Sequence, residues 1–455
     1  QAHSFFTSTA TFSYFNNGGE KLLVTRVVSG SYTPAVSTAI RGVANATDVF
    51  DLETLSKGVI ANSGILTEFD TANAFSLPSG SRDNVRFNIV TSNTGSGTFS
   101  LVVRQGNDND NQQQILETFN NVNLDPFSER YISKVVGDQK LEYDSATNQM
   151  VVTGEYPNNS RYVRVKTVSN NTPNYLDQNG NPKTELTGSI PIVQSGSFSG
   201  ATGQIELNPG AKMNEHITAT NTQGLHPDNY DNMINLLKNK EDYQFNILST
   251  PGLTSDLHGS KVSTIITNTQ KRGDSLFVLD LASYTLGLNQ VIGQAGGRDS
   301  SYAASYWPWV RIIDPTTGRH VWAPASTLIP GVYANNDRIA APWFAPAGIN
   351  RGGLDEVLRT KLKLNQSQKD ELYEANVNPL ATLPREGVVV FGQKTLQKEA
   401  SALDRVNVRR LLIELKSFIG QIAEQIVFEQ NTATTRNAFL ARVTPYLEGV
   451  QQKQG

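Results

Sequence analysis

The stretch YQFNILSTPGLTSDLHGSKVSTIITNTQKRGDSLFVLDL, residues 243–281, decides the fold class. Tyr243–Leu248 reads as a strand. Lys261–Lys271 reads as a helix whose apolar side is Val262, Ile265 and Ile266, spaced by three and one. Gly273 closes that helix, and Ser275–Leu281 is a second short apolar run. Strand, helix and strand in this order make a βαβ unit, with parallel strands and a right-handed crossover. A helix over Asp228–Asn239 precedes it, so the α/β pattern runs from 227 to 281.

Toward the N-terminus the pattern changes to period two. Val85, Phe87 and Ile89 alternate, as do Phe99, Leu101 and Val103, and each set predicts a half-buried strand. Asn16-Asn17-Gly18-Gly19 is a turn signal before a strand-like Lys21–Val28. The opening 140 residues thus read as mostly β. Asp125 as N-cap, Pro126 in the first turn and Gly137 past the end predict one helix, with Phe127, Tyr131 and Val135 inward. Short β-like runs at Gln149–Val152 and Tyr162–Val168 surround a turn-rich centre, Asp177–Pro182.

Toward the C-terminus, all four Trp residues fall between 307 and 343 among five prolines, which predicts a rigid buried junction with Trp307, Trp309 and Trp322 inside. Val310–Ile313 reads as a strand followed by a turn at Asp314–Gly318. Gly387–Phe391 reads as a strand covered on both faces. From 401 the chain is helical. Val408, Leu411, Leu415, Phe418, Ile422 and Ile426 form one apolar face with Arg409 and Arg410 off it, and a second helix spans about 434–450.

The expected fold is α+β or α/β and multidomain: a mixed sheet with flanking helices in the C-terminal core, plus a small β-rich inserted domain. Residues 1–140 and 206–305 would form a discontinuous α/β middle domain, 141–205 the insertion, and 306–455 the C-terminal α/β core.

Composition narrows the function. Net charge is −3 over 455 residues, so no strong basic field exists to hold nucleic acid. Charged residues make up 18%, and amide and hydroxyl side chains replace them in a surface suited to contact with other subunits. No apolar run has the length of a membrane span, and residues 1–4 do not resemble a signal peptide. With no Cys there are no disulfides, thiol nucleophiles or thiolate metal sites. Neither G-x-S-x-G nor a P-loop occurs, and Gly293–Gly297 lacks the dinucleotide spacing. His3, His216, His226, His258 and His320 are scattered, without metal-ligand spacing. Asp108 and Asp110 lack the remaining positions of an EF-hand loop and read as a solvated turn. These readings point to no enzyme, no cofactor and no metal.

Several segments resemble the contractile tail sheath family of long-tailed phages. They are SSYAASYWPWVRIIDPTTGRHVWAPASTLIPGVYANNDR (300–338), APWFAPAGINRGGL (341–354), LYEANVNPLATLPREGVVVFGQKTL (372–396), ALDRVNVRRLLIELK (402–416) and VFEQNTATTRNAFLARVTPYL (427–447). YFNNGGEKLLVTRV (14–27) and ILETFNNVNLDPFSERYISKVVGD (115–138) are similar too, so the likeness spans most of the chain outside 141–205. It implies a virion structural subunit assembled in the host bacterial cytoplasm. Partners would be other copies in hexameric rings and a helical sheath, a tail tube protein, a baseplate and a tail terminator, without nucleic acid or membrane insertion. It also implies linking arms before Gln1 and beyond Gly455, without which residues 1–455 are expected to stay monomeric. Arg409, Arg410 and Arg436 are the candidate intersubunit or tube contacts; for the first two a solvated helix face is the competing reading. The rival functions are another virion surface protein or adhesin, and an α/β hydrolase with an unfamiliar site.

Overall fold

The computed structural model describes residues 5–44, 48–59, 84–109, 111–203, 211–221, 224–315 and 318–453. The chain divides into two compact units, one of residues 28–206 with 222–224, the other of 1–27, 207–221 and 225–455.

The chain opens with helix α1 (Phe6–Asn16), not with a strand. Its Thr, Ser and Phe residues are poor helix formers, so tertiary burial decides the conformation. Phe6 is buried edge-on to Trp309, ring centroids 5.7 Å apart, and Thr9 and Ser13 are buried on the same side. The turn at Asn17-Gly18 is present, Gly18 having φ +96°, but 21–28 runs on without a strand.

The 28–206 unit contains β1 (Pro34–Ser37), β2 (Phe50–Lys57), β3 (Val85–Asn93), β4 (Thr98–Gln105), β5 (Ile115–Asn123), helix α2 (Ile132–Val136), β6 (Lys140–Asp144), β7 (Gln149–Thr153), β8 (Val163–Val168), helix α3 (Thr184–Thr187) and β9 (Gln194–Ser199). Among the described residues seven strands form one sheet in the order β5-β4-β3-β9-β1-β2-β8, each neighbour antiparallel; β6 and β7 pair apart as a hairpin. Val85, Phe87 and Ile89 are buried while Arg86, Asn88 and Val90 are not, as the alternation predicts. The core is aromatic: Phe50 stacks on Phe99 at 5.6 Å, and Phe87 meets Phe198 edge-on at 5.9 Å.

This sheet corrects the predicted insertion. Strand β8 pairs with β2, and β9 lies hydrogen-bonded between β3 and β1, so two of the strands within 141–205 are woven into the sheet that begins at residue 34, and only the β6–β7 hairpin stands apart. Period-two alternation marks a strand but not its partner, and these partners are more than 100 residues apart. The helix predicted from Asp125 is also shorter. The Asp125 carboxylate accepts from the Phe127 amide in a local turn, Phe127 is 75% exposed, and only Ile132–Val136 is helical before Gly137 at φ +105°. The Asp108 loop is not solvated: Asp108 is buried and accepts from Arg104 Nε at 2.7 Å and from Arg86 Nη1 at 3.2 Å. Asp110 lies outside the described residues.

The other unit continues with helix α4 (Met213–His216), α5 (Tyr230–Leu236), β10 (Ile247–Thr254), α6 (Gly259–Arg272), β11 (Leu276–Asp280), α7 (Leu288–Gly296) and β12 (Ala303–Trp307). Then follow β13 (Val310–Ile313), β14 (His320–Ala323), α8 (Ile329–Ile339), β15 (Val357–Thr360), α9 (Gln366–Glu374), β16 (Asn378–Leu383), β17 (Gly387–Val390), α10 (Val406–Glu424) and α11 (Ala433–Gln452). The βαβ unit is present: β10 and β11 are parallel and joined through α6, whose Val262, Ile265 and Ile266 are buried and whose end is Gly273 in the left-handed conformation. The first strand starts four residues later than its apolar run suggested.

Among the described residues the main sheet has the order β10-β11-β12-β16-β17, parallel up to β16, with β17 returning antiparallel. The predicted boundary at 305/306 is therefore corrected. It cuts through β12, which is bonded to β11 on one side and β16 on the other. The boundary expected at 206 lies outside the described residues, as do His3 and the centre of the 314–318 turn. Strand β17 is the sheet's edge; Val388–Val390 are buried, while Phe391 is 44% exposed. A second sheet, β14-β13-β15, carries the Trp-rich segment. Trp307, at the end of β12, and Trp309, just before β13, are buried, but Trp322 on β14 is only half-buried, so the expectation fails for one of the three.

Candidate subunit interface

Helix α10 presents two faces. Val406, Arg409, Arg410 and Ile413 follow the i, i+3, i+4, i+7 spacing of a helical stripe, and all four are buried. Leu411, Leu415 and Phe418 are half-buried on the other side, where Phe418 stacks on Tyr446 of α11 with ring centroids 3.8 Å apart.

Two of the three candidate contact residues are thereby removed from the surface. The Arg409 guanidinium lies 3.9 Å from the Tyr302 ring centroid and donates to Ser301 Oγ; burial pushes its pKa down. Arg410 pairs with Asp337 of α8 at 2.5 Å and covers the Tyr333 ring at 4.7 Å. Tyr333 in turn bonds the Tyr306 hydroxyl at 2.6 Å, so the chain of contacts runs from α10 through α8 into β12. Both phenols have pKa values raised, chiefly by desolvation, Tyr333 to about 12. Neither arginine is a docking group or a solvated one; both fasten α10 to its own unit. Arg410→Ala is expected to cost about 2–4 kcal/mol, because it leaves Asp337 without its partner and empties a buried site. Chemical denaturation checks this; a change below about 0.5 kcal/mol, the ordinary surface value, would contradict it.

Arg436 is exposed on α11. It lines a groove of about 400 Å³ at the connecting-loop end of the α10–α11 hairpin with Ile426, Phe439 and Leu440. Beside it Val427 is 64% exposed and Phe428 fully exposed.

Two further buried titratable groups of this unit, His258 and Asp280, are held by local hydrogen bonds. His258 stands just before α6, its Nδ1 accepting from the Thr254 amide at 3.1 Å and its Nε2 lying 2.8 Å from the Ile217 carbonyl; burial holds its pKa below the usual value. Asp280, at the end of β11, accepts from the Ser326 amide and hydroxyl. Among the described residues no three His, Asp or Glu side chains are grouped to hold a metal, and no helix is long and apolar enough to cross a membrane.

Helix α10 is thus anchored within its own unit, while Val427 and Phe428 beyond its end are exposed. Residues 226–396 match the family described as phage tail sheath protein central domain. The chain is 33% identical over 182 residues to the tail sheath protein of Vibrio phage KVP40, and 38% identical over 128 residues to that of Enterobacteria phage T4. These matches cover 39% and 28% of this chain, but only 27% and 19% of the relatives' length. In fold it is similar to the crystal structure of a sheath tail protein from Listeria innocua, with TM-score 0.54, 12% identity, 99% of this chain and 77% of that one covered. What these comparisons establish is likeness to the sheath central domain over residues 226–396.

Proposed function

We propose that this chain is the structural subunit of a contractile phage tail sheath. It stacks with other copies as hexameric rings around a tail tube, and contracts by rigid-body rearrangement to drive the tube through the host envelope. Its further partners are a baseplate and a tail terminator, its place is the virion tail, and it is assembled in the host bacterial cytoplasm. It performs no enzymatic reaction. Work comes from two packings of the same subunit surfaces that differ in free energy, which requires no nucleotide.

The sheath central domain over residues 226–396 carries this reading. The physics is compatible with it. A subunit that transmits a rearrangement must be stiff, and α10 is pinned by two buried cations on tyrosine rings and by the Arg410–Asp337 pair. The test is immunogold labelling of intact phage with an antibody raised against this chain. Label along the full tail, following the shortened sheath after contraction, is expected. Label confined to fibres or to the capsid would overturn the reading.

A further inference from the structure

The outer face of the β14-β13-β15 sheet gathers positive charge that no carboxylate among the described residues pairs with, Lys361 Nζ donating only to the Tyr284 and Leu286 carbonyls. Arg311 and Arg359 are direct cross-strand partners, and partners in an antiparallel pair share a face. Like charges directly opposite one another destabilise a pair. Arg311 is also the partner of Trp322, and the Arg359 guanidinium reaches over the Trp322 ring, 5.3 Å from its centroid. Tyr284 leans on Trp322 at 5.5 Å and carries two ammonium groups, Lys212 at 4.2 Å and Lys361 at 4.6 Å. Burial and the neighbouring Lys212 both push the Lys361 pKa down.

Among the described residues none of these four cations has a carboxylate within 4.0 Å, although the unit pairs Lys261, Arg272, Arg405 and Arg410 with acids. The nearest acids in sequence are otherwise engaged or off the strands. Asp314 is buried, Glu356 accepts from the Asn16 and Asn17 amides, and Asp355 precedes β15. Two like-charge juxtapositions on one half-buried aromatic surface are costly in isolation, and become favourable once an anionic surface covers them.

The same unit carries a matching negative surface. Asp370, Glu371 and Glu374 lie at i, i+1 and i+4 on α9, all exposed and none ion-paired among the described residues. We infer that the acidic side of α9 of one copy docks on the Arg311–Arg359–Trp322 face of the next. The contact is heterologous, two different patches meeting head to tail, which is the kind that propagates into a helix instead of closing a dimer. This inference rests on the sheath reading and names one surface that it would use.

A charge swap in the complete chain tests it, read as the second virial coefficient from static light scattering at low salt. Wild type should show net attraction that salt abolishes. Arg311→Glu with Arg359→Glu should turn attraction into repulsion, as should Glu371→Lys with Glu374→Lys. An equimolar mixture of the two variants should regain attraction, since each then offers the patch the other lacks. Arg359→Glu alone guards against misfolding: it sets a carboxylate opposite Arg311 across the strands, so stability holds or rises while attraction is lost. No attraction in wild type, unchanged attraction in the variants, or a mixture that stays repulsive would each overturn the contact. Tubes formed by a protein whose charge swap changes nothing would leave the sheath reading intact and remove only this inference.

Discussion

Trp309→Ala is expected to destabilise its unit by about 3–5 kcal/mol, the range of a buried aromatic truncated to Ala. Trp309 is 2% exposed. Its ring takes the edges of Phe6 and Tyr284, both at 5.7 Å, and its Nε1 donates to the Ala282 carbonyl at 2.9 Å. The substitution thus removes the ring that holds α1, leaves a cavity, and strands a carbonyl without its donor. Trp322→Ala, at a half-buried position, should cost clearly less. Denaturant unfolding followed by Trp fluorescence reports the right unit, because all four Trp lie at 307–343. Equal, small effects at both positions would show that burial does not set the stability of this segment.

Asp280 supplies the second large effect. It is 4% exposed, its carboxyl meets only the Ser326 amide and hydroxyl, and desolvation pushes its pKa up to about 7. The folded chain therefore keeps a proton that the unfolded chain has released. The stability linked to this group is complete below about pH 4 and is lost as pH rises through 7, where it levels off. At roughly 1.4 kcal/mol per pH unit the loss reaches about 4 kcal/mol. Asp280→Asn, which cannot ionise, should remove that slope and be the more stable form at pH 8. The measurement is the wild-type minus variant difference in unfolding free energy between pH 4.5 and 8, since other carboxylates titrate in both chains. A difference that stays constant would mean Asp280 is ionised in the fold throughout.

What the sequence disclosed follows from what each signal encodes. The βαβ unit was legible because α6 has one buried stripe and ends in a left-handed Gly273, both local properties. Strand β3 was legible from alternation for the same reason; β4 is a strand as read, but both its faces are buried, not one. Sheet order was not: β9 lies between β1 and β3, and nothing in its own six residues names those partners. Helix α1 was missed because its residues prefer other conformations, and Trp309, some 300 positions away, overrides them. Arg409 and Arg410 were placed outside because periodicity scores apolarity. Their guanidinium groups are buried on Tyr302 and Tyr333, a contact that hydropathy ranks as polar. The basic face of β13–β15 went unseen because its charges are scattered between 212 and 361, and only cross-strand pairing assembles them.

Electron microscopy of the complete protein purified alone measures the central claim most directly. A contractile sheath subunit should assemble into hollow tubes of stacked six-membered rings, wider and shorter than the sheath on an uncontracted tail. Discrete particles of fixed small size at every concentration, with no tubes, would contradict it.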